Sequence, residues 1–349
     1  MRFDFNVTPF LAIWETTHAC DLACVHCRAE AVPEPDPAEL STEEGFRLIR
    51  QVKEMGTPIL VFSGGDPLKR KDLPDLIRVA KSLGLRTGAI PAATPLLTRE
   101  AIRGLKASGL DQIAFSLDAA TAEAHDAFRR TPGVFARTLD SVREANELGL
   151  HVQINSLLNV HNTENLDPLI RLIEGLGIVF WEVFFLVPTG RGKEVPVLTA
   201  GKFEEVFEKI YDLSLRCRFV IKVTEAPHYR RFCRQKGGSL ARESGPGGSI
   251  GLAPQGVNSG KGFVFVSCRG EVMPSGFLPI AAGNVRTGNL GDIYRNASLF
   301  KALRDLSLLK GKCGICEFKD LCGGSRSRAY ALTGDYLAED PCCAYEPAH

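Results

Sequence analysis

The sequence predicts an α/β fold, namely an open, partial (β/α)6 barrel followed by a small C-terminal domain. Six short apolar runs alternate with amphipathic stretches from the N-terminus to about residue 215. Strand–helix repeats of this kind form a parallel sheet with right-handed crossovers, and six are too few to close an eight-stranded barrel. After residue 236 the pattern changes to a Gly-, Ser- and Pro-rich segment and then to short, cysteine-bearing elements.

The strand–helix units follow one another in a regular order. The first strand is predicted at "FLAIWETT" (10–17), and its helix at 41–56 begins with Ser41 as N-cap and Glu44 as the partner in a capping box. The later predicted strands cover residues 58–65, 85–91, 111–118, 150–160 and 179–188, and the later predicted helices cover residues 73–84, 99–109, 135–149, 165–177 and 200–216. Several helices end at glycines suited to the left-handed C′ conformation, namely Gly56, Gly84, Gly109, Gly149 and Gly177.

The chain beyond the sixth unit changes character. Residues 237–262 are rich in Gly, Ser and Pro, and a loop of this length is usually a functional lid or disordered. "FVFVSCRGEVMPSGF" then predicts a β-hairpin that turns at Arg269-Gly270, and the short elements after residue 283 are typical of a small domain held by metal. We therefore assign residues 1–224 to the barrel, 225–262 to a Gly-rich loop or lid, and 263–349 to the C-terminal domain.

Composition and charge exclude several classes of protein. The chain has 44% hydrophobic residues and a net charge of +1, so we expect no nucleic-acid partner. No apolar run approaches the roughly 20 residues that a membrane span needs. The N-terminal "MRFDFNVTPF" lacks the apolar core of a signal peptide. We expect a cytoplasmic protein with no membrane partner.

The eleven cysteines are grouped rather than scattered. A reducing compartment disfavours disulfides, so grouped cysteines there are expected to bind metal or to take part in catalysis. One group is Cys20, Cys24 and Cys27, and the other lies in "KCGICEFKDLCGG" and "EDPCCAY". Cys217 and Cys233 stand apart and are expected to be small buried residues. The sequence assigns no role to Cys268.

The first group has the spacing C-x3-C-x2-C and follows the first predicted strand, at the end where barrels carry their chemistry. Three thiolates are one ligand short of a closed metal site. Zinc would need His18 or His26 as the fourth ligand, whereas a [4Fe–4S] cluster on three thiolates keeps one iron open. The cysteine usage and the position at a strand end favour the cluster.

This motif resembles that of the radical S-adenosylmethionine (SAM) superfamily, in which C-x3-C-x2-C follows strand one of a TIM-like partial (β/α)6 barrel. The resemblance implies that Cys20, Cys24 and Cys27 hold a catalytic cluster whose open iron chelates the amino and carboxylate groups of SAM. It also implies that an electron from the reduced cluster cleaves the sulfonium. The resulting 5′-deoxyadenosyl radical then abstracts a substrate hydrogen.

The turn after the second predicted strand matches a second motif of the superfamily. "FSGGDP" stands where relatives carry Gly-Gly-Glu-Pro, so the resemblance assigns Gly64, Gly65 and Asp66 to the SAM amino group. The glycines let the backbone approach a ligand closely, and Asp in place of Glu leaves those backbone contacts intact. Apart from the barrel context, the stretch would be read as a plain turn.

Four later polar residues are further candidates for contacts with SAM. Ser116 and Asp118 end the fourth predicted strand and look like the superfamily's positions for SAM polar groups. Asn155 lies on the fifth strand, where a buried amide needs a partner, and Arg129 could reach the SAM carboxylate. The alternative for each is a satisfied core polar group or, for the arginine, a solvated side chain.

The C-terminal cysteines resemble those of the SPASM/twitch extension of radical SAM enzymes, which carries auxiliary [4Fe–4S] clusters. Ser275 and Ser325 stand where relatives often have cysteine, so we expect one auxiliary cluster rather than the two of a full SPASM domain. Zinc stays an alternative here, because four thiolates suit it well. The expected ligands are Cys313, Cys316, Cys322 and Cys343, with Cys342 at a variable position.

The substrate is less well defined than the chemistry. The chain, most closely at "LKGKCGICEFKDLCGGSRSRAYALTGDYLAEDPCCAYEP", resembles radical SAM enzymes of haem d1 and alternative haem biosynthesis, which modify tetrapyrrole side chains. Candidates for binding carboxylates, with a solvated basic face as the alternative, are Arg230, Arg231, Arg234 and Arg242. His228 and Tyr229 are candidate proton or hydrogen-atom partners, and Arg191 is a candidate cavity residue.

We therefore expect a radical SAM enzyme of the oxidoreductase or lyase type, with two clusters and a tetrapyrrole-like substrate. Its electrons would come from a reducing partner such as flavodoxin or ferredoxin. A ribosomally made peptide is the first alternative substrate, against which we expect no room for a leader-binding domain before the first strand. A zinc-stabilised, non-catalytic binding protein is the second alternative.

Overall fold

The computed structural model describes residues 4–238 and 256–348. The strands in these ranges are β1 Leu11–Glu15, β2 Ile59–Ser63, β3 Arg86–Ala89, β4 Gln112–Ser116, β5 His151–Leu158, β6 Phe180–Phe185, β7 Val220–Thr224, β8 Phe263–Val266, β9 Glu271–Met273 and β10 Gly283–Asn284. The helices are α1 Thr42–Glu54, α2 Leu73–Ser82, α3 Arg99–Ala107, α4 Ala122–Arg129, α5 Val134–Glu147, α6 Leu166–Glu174, α7 Ala200–Arg216, α8 His228–Gln235, α9 Leu290–Asn296, α10 Ser298–Arg304, α11 Gly311–Ile315 and α12 Arg326–Thr333. No helix of the described ranges is both long and apolar enough to cross a membrane.

The ten strands of the described residues form one sheet. Strands β1 to β7 lie side by side in chain order and pair in parallel, so their carboxyl ends share one edge. Helices connect successive strands and bury apolar faces, such as Leu48, Ile49 and Val52 of α1, in the main core. The predicted α/β fold with an open parallel sheet is confirmed.

The sheet is wider than the sequence predicted. β7 adds a seventh parallel strand beside β6, with Val220 opposite Phe180. Val220 is the only fully buried residue of β7, and Lys222 stands at its centre. The strand therefore lacks the continuous apolar run on which the prediction relied.

The predicted hairpin forms and also extends the barrel. β8 and β9 pair antiparallel around Arg269–Gly270, where Gly270 has a φ of 85°. β8 pairs in parallel with β1 on its other side, with Phe263 opposite Leu11. The sheet thus continues from the barrel into the C-terminal part of the chain.

The segment 225–262, which we expected to be a Gly-rich loop or lid, is described only in part. Its first portion contains the helix α8, whose buried residues include His228 and Phe232. Residues 239–255, including the candidate Arg242, lie outside the described residues.

Local features of the predicted helices agree with the sequence. Glu44 N donates to Ser41 Oγ at 3.3 Å and Ser41 N donates to Glu44 Oε2 at 2.8 Å, which completes the expected capping box. Gly45 lies inside α1, where a Cβ atom would come within 2.6 Å of the Trp14 ring, so the glycine allows α1 to pack closely on β1. The five predicted C′ glycines all have positive φ, namely Gly56, Gly84, Gly109, Gly149 and Gly177.

A buried ion pair anchors the C-terminal segment to the barrel. Arg328 of α12 donates to both carboxylate oxygens of Asp340, at 3.0 and 2.8 Å, and neither side chain is exposed. Arg328 also donates to the backbone oxygen of Glu225 at 2.6 Å, immediately after β7. Its guanidinium lies 4.8 Å from the ring centroid of Phe203 on α7. One side chain therefore joins α12, the last turn of the chain and the barrel.

Candidate active site

A cavity of about 350 Å³ lies inside the barrel sheet and reaches the loops at the carboxyl ends of the strands. Its wall takes residues from β1 to β8 and from the loop that carries the first three cysteines. Ligands of parallel α/β barrels bind at this end of the sheet. The aromatic part of the wall is formed by Phe180, Phe184, Phe263, Phe265 and Phe277.

The three N-terminal cysteines, Cys20, Cys24 and Cys27, all line this cavity. Their loop follows β1 and is tied back by Cys20 N, which donates to Val32 O at 2.8 Å. Arg191, from the loop after β6, donates through Nε to Cys24 O at 2.9 Å and through its backbone N to Cys27 O at 3.1 Å. Arg191, a candidate cavity residue in the sequence, therefore holds the cysteine loop in place. Burial raises the pKa of Cys20 to about 12, so metal binding must displace its proton.

The spacing of the thiols distinguishes zinc from a cluster. Tetrahedral zinc, with Zn–S bonds of about 2.3 Å, places its sulfur ligands about 3.8 Å apart. Within the described residues, the three Sγ atoms of this motif do not all lie within 4.8 Å of one another; they belong to Cys20, Cys24 and Cys27. A four-iron cluster holds its thiolates farther apart, because each one binds a different iron. The donor set therefore fits a cluster better than a single zinc ion.

The two histidines of the loop have other partners. His18 Nε2 lies 2.6 Å from Glu15 Oε2. The side chains of His18, Glu15 and the buried Cys268 each have a polar atom within 4.8 Å of the other two. His26 stacks on Phe128 with ring centroids 4.4 Å apart. Burial lowers the pKa of His26 to about 3, so its ring is neutral at physiological pH. Neither histidine completes a zinc site with the three cysteines.

Gly64 and Gly65 lie where the turn after β2 meets the backbone of the cysteine loop. Gly65 N donates to Thr17 O at 2.8 Å. A Cβ atom on Gly65 would clash with Ala19 O, and one on Gly64 would lie 2.7 Å from Thr17 O. Only glycine fits at either position without moving the backbone, and both residues line the cavity.

We expect Gly65→Ala to weaken SAM binding, because the added methyl group forces the turn away from the cysteine loop. Overpacking of this kind typically costs about 1–3 kcal/mol. Because SAM binding requires the turn to return to the cysteine loop, up to this full cost falls on binding, which corresponds to roughly 5- to 150-fold in affinity. Equilibrium dialysis of reconstituted protein with labelled SAM measures the change. The matched control is Gly104→Ala in α3, where a Cβ atom meets nothing within 4 Å. Equal SAM affinity of the two variants would contradict the prediction.

The structure does not bring the side chain of Asp66 to the cavity. Its carboxylate is buried and accepts hydrogen bonds from Thr94 Oγ1 at 2.7 Å and from Leu68 N at 3.1 Å. Burial raises the pKa of Asp66. The backbone of Asp66 instead supports the site, because Asp66 N donates to Ala19 O at 2.7 Å.

Asp118 and Arg129 form a buried ion pair beside Cys24. Asp118 accepts hydrogen bonds from Arg129 Nε and from Leu157 N, both at 2.9 Å. Burial opposes ionisation, but the nearby positive charges, chiefly that of Arg129, hold the pKa of Asp118 below its usual range. Arg129 Nη1 lies 3.8 Å from Cys24 Sγ. This pair and Ser116 line the cavity, so a fixed positive charge faces the predicted thiolate.

A chain of polar side chains crosses the inner face of β5 to β7, and sequence reasoning found only Asn155 among them. Gln153 Nε2 donates to Asn155 Oδ1 at 2.6 Å and to Glu182 Oε2 at 3.0 Å. Lys222 Nζ and Thr224 Oγ1 donate to Glu182 Oε1 at 2.8 and 2.6 Å. All five residues line the cavity. The signal that could have found them is the period of two along the strands, which places these polar residues on one face.

A second, smaller cavity lies in the C-terminal part of the chain. The structure places Cys343 on it, whereas the buried Cys342 Sγ lies 3.8 Å from Leu198 O. In the described ranges, no three of the cysteines on this cavity have all their Sγ atoms within 4.8 Å of one another. The spacing of these sulfur atoms is therefore again wider than one zinc ion requires. The cysteines that line it are Cys313, Cys316, Cys322 and Cys343. The remaining Cys217 and Cys233 are buried elsewhere, as predicted.

The two serines that suggested a single auxiliary cluster surround a carboxyl group. Glu225, after β7, accepts hydrogen bonds from Ser325 Oγ at 2.5 Å, Ser327 Oγ at 3.1 Å and Ser275 Oγ at 3.4 Å. Burial raises the pKa of Glu225, and its φ of 59° is unusual for a residue with a side chain. Ser275 and Ser325 therefore support Glu225, which itself lines the main cavity.

The candidate proton or hydrogen-atom partners lie away from the main cavity. His228 is unexposed, and its ring centroid lies 5.1 Å from that of Phe203 and 4.9 Å from that of Phe207. Burial lowers the pKa of His228 to about 3. The Tyr229 ring also packs on Phe207, at 5.3 Å, and burial raises its pKa. Both side chains thus belong to an aromatic core.

The candidate arginines of α8 have different environments. Arg231 is buried and paired with Glu204. Arg234 is exposed. Of the described candidates, Arg230 alone lines the main cavity.

Known proteins are similar to this chain in sequence. The radical SAM superfamily model matches residues 14–176. The AdoMet-dependent heme synthase of Methanosarcina barkeri is 41% identical to this chain over 97% of this chain and 97% of its own length. The Fe-coproporphyrin III synthase of the same organism is 31% identical over 98% of this chain and 89% of its own length.

A solved structure shows the same fold. Streptococcus suis SuiB bound to S-adenosylmethionine matches with a TM-score of 0.75 at 16% identity, covering 97% of this chain and 78% of that chain. The family model covers the chain from the end of β1 to beyond β5, a range that includes the cysteine loop and the glycine turn. The chain belongs to the radical SAM superfamily and is an enzyme that uses a [4Fe–4S] cluster and SAM.

Proposed function

We propose that this enzyme modifies a side chain of a tetrapyrrole in haem biosynthesis. The observation that carries the proposal is the cavity, in which three cysteines share one space with an apolar wall of five phenylalanines. A tetrapyrrole is a flat apolar macrocycle with carboxylates at its rim. Such ligands bind in largely apolar cavities with a few placed polar groups. The names of the two relatives, heme synthase and Fe-coproporphyrin III synthase, support this substrate class.

Cys20, Cys24 and Cys27 are the proposed ligands of the catalytic cluster. The bound cluster and SAM supply the 5′-deoxyadenosyl radical that removes a hydrogen atom from the substrate. The residues of the chain position these groups, since Arg129 is fixed by Asp118 beside Cys24 and stabilises negative charge on sulfur. The residues proposed to contact SAM are Gly64, Gly65, Ser116, Asp118, Arg129 and Asn155, with Asp66 acting through its backbone.

One auxiliary [4Fe–4S] cluster is the proposed occupant of the second cavity. The four cysteines that line this cavity are Cys313, Cys316, Cys322 and Cys343. Ser275 and Ser325 bind Glu225, which supports one auxiliary cluster rather than two. We keep the proposed division into a barrel at 1–224, a connecting segment at 225–262 and an auxiliary-cluster domain of the SPASM/twitch type at 263–349.

The cell compartment and the reductant are also proposals. All eleven cysteines are free of disulfides, which suits the reducing cytoplasm. The cluster needs an external electron, for which a flavodoxin or ferredoxin is the proposed donor. The net charge of +1 supports the absence of a nucleic-acid partner.

Anaerobic reconstitution and a substrate screen test the proposal. We expect brown protein with roughly eight irons per chain, because two four-iron clusters are proposed. With SAM and a reductant, 5′-deoxyadenosine is expected to form together with a change in the mass of an iron tetrapyrrole such as Fe-coproporphyrin III. Turnover that requires a peptide and leaves every tetrapyrrole unchanged would favour the peptide alternative. Colourless protein with stoichiometric zinc would contradict both enzymatic proposals.

A further inference from the structure

Among the described residues, four arginine and lysine side chains line the main cavity, and one of them has no acidic partner in the part of the chain that the structure describes. Each of the other three is paired with a carboxylate: Arg28 with Glu15 at 2.8 Å, Arg129 with Asp118, and Lys222 with Glu182 at 2.8 Å. The fourth is Arg230 of α8, and no described carboxylate oxygen lies within 4.0 Å of its guanidinium. The cavity therefore presents one cation whose charge is not neutralised by the described protein.

The guanidinium of Arg230 is held in place but keeps donors to spare. Nη2 donates to Val257 O at 2.6 Å, and Nη1 donates to Leu321 O at 3.4 Å. A guanidinium has five N–H donors, so these two contacts orient the group without exhausting it. Burial lowers the pKa of Arg230, as expected for a cation without a facing anion. A carboxylate that entered the cavity could accept two parallel hydrogen bonds from this group.

A second cation lies close to Arg230. Lys261 lines a small adjoining cavity together with Arg230. Burial lowers the pKa of Lys261, the nearby Asp320 carboxylate raises it, and the charge of Arg230 lowers it. Within the described ranges Lys261 has no carboxylate oxygen within 4.0 Å. Next to the main cavity there are thus two cations, Arg230 and Lys261, and one described carboxylate, that of Asp320, which acts on Lys261. This excess of positive charge favours an anion beside Arg230.

The auxiliary site alone does not account for Arg230. Charge compensation of Cys322 would be the competing role for this guanidinium, which lies near that thiol. A different arginine contacts that site directly, because Arg326 Nη2 lies 3.8 Å from Cys313 Sγ. Within the described residues, the hydrogen bonds of Arg230 go instead to the backbone carbonyls of Leu321 and Val257.

We propose that Arg230 binds a rim carboxylate of the tetrapyrrole substrate. This contact would anchor the macrocycle at the end of the cavity nearest the C-terminal cysteines, with its apolar faces against the phenylalanine wall. The proposal rests on the proposed function and assigns one specificity-determining contact within it.

Binding titrations of the reconstituted enzyme test this assignment. Fe-coproporphyrin III is titrated anaerobically into the wild type, Arg230→Gln and Arg234→Gln, and the Soret band is followed. We expect Arg230→Gln to raise the Kd about 10- to 100-fold, the range of a lost hydrogen bond to a charged group. Arg234→Gln, on the exposed face of the same helix, is expected to bind as the wild type does. SAM affinity is expected to be equal in all three proteins.

An iron octaalkylporphyrin, which has no carboxylates, distinguishes loss of the carboxylate contact from misfolding of the variant. Arg230→Gln and the wild type are expected to bind this probe equally, because the lost contact is to a carboxylate. Equal weakening of both porphyrins, or an unchanged Kd for Fe-coproporphyrin III, would overturn the assignment. An altered electron paramagnetic resonance signal of the auxiliary cluster with unchanged porphyrin affinity would assign Arg230 to that cluster. Failure of the wild type and Arg234→Gln to bind any tetrapyrrole would instead refute the proposed function itself.

Discussion

Cys24→Ala is expected to reduce formation of 5′-deoxyadenosine below detection and to remove about four of roughly eight irons per chain. Cys24 lines the main cavity, and its sulfur lies 3.8 Å from Arg129 Nη1. Two remaining thiolates cannot hold a cluster that needs three protein ligands. The auxiliary site shares no residue with this loop, so its irons are expected to stay. Iron analysis and chromatographic assay of 5′-deoxyadenosine measure both effects.

Cys233→Ala is the matched control for that variant. Cys233 is also buried but lines neither cysteine cavity, so both clusters and turnover are expected to persist. Residual 5′-deoxyadenosine from Cys24→Ala at the level of the control would show that Cys24 is not a ligand.

Asp340→Asn is expected to destabilise the protein by about 3–5 kcal/mol, because it leaves a buried arginine without its counter-charge. Arg328 and Asp340 are both unexposed, and the same carboxylate accepts a hydrogen bond from Ser325 N at 2.8 Å. Asp340 also contacts the proposed auxiliary site, since its backbone N lies 3.4 Å from Cys313 Sγ. We therefore expect a lower anaerobic unfolding midpoint together with loss of auxiliary iron.

The exposed pair Lys310–Asp335 provides the comparison. Asp335→Asn removes a similar charge at the surface, where an ion pair contributes at most about 1 kcal/mol. A double variant, Arg328→Met with Asp340→Leu, is expected to recover part of the stability lost in Asp340→Asn, since neither charge of this pair is left buried without the other. Equal unfolding midpoints for Asp340→Asn and Asp335→Asn would contradict the prediction.

The sequence alone predicted those features that depend on residues close together in the chain. The capping residues of α1 and the positive-φ glycines are read from neighbouring residues, and both are found as expected. The C-x3-C-x2-C spacing likewise identified the loop at the cavity. The parallel pairing of β1 with β8 could not be predicted, because it joins segments far apart in the chain.

The arginines of α8 show why part of the site was beyond sequence reasoning. Arg230 and Arg231 are adjacent in sequence, but one faces the cavity and the other pairs with Glu204 on α7. Successive residues of a helix point about 100° apart, so their roles depend on which elements surround the helix. The inward polar chain that includes Gln153 and Glu182 depends in the same way on the neighbouring strands.

The pairing of β1 with β8 also has a consequence for a chain that is still being synthesised. The outer edge of β1 finds its partner only after residues 263–266 have left the ribosome. Until then this edge is open to pairing with other chains. The cysteine loop begins directly after β1, so its final shape depends on a strand made near the end of translation. We therefore expect chains that end before residue 263 to leave the edge of β1 unpaired and to be prone to aggregate.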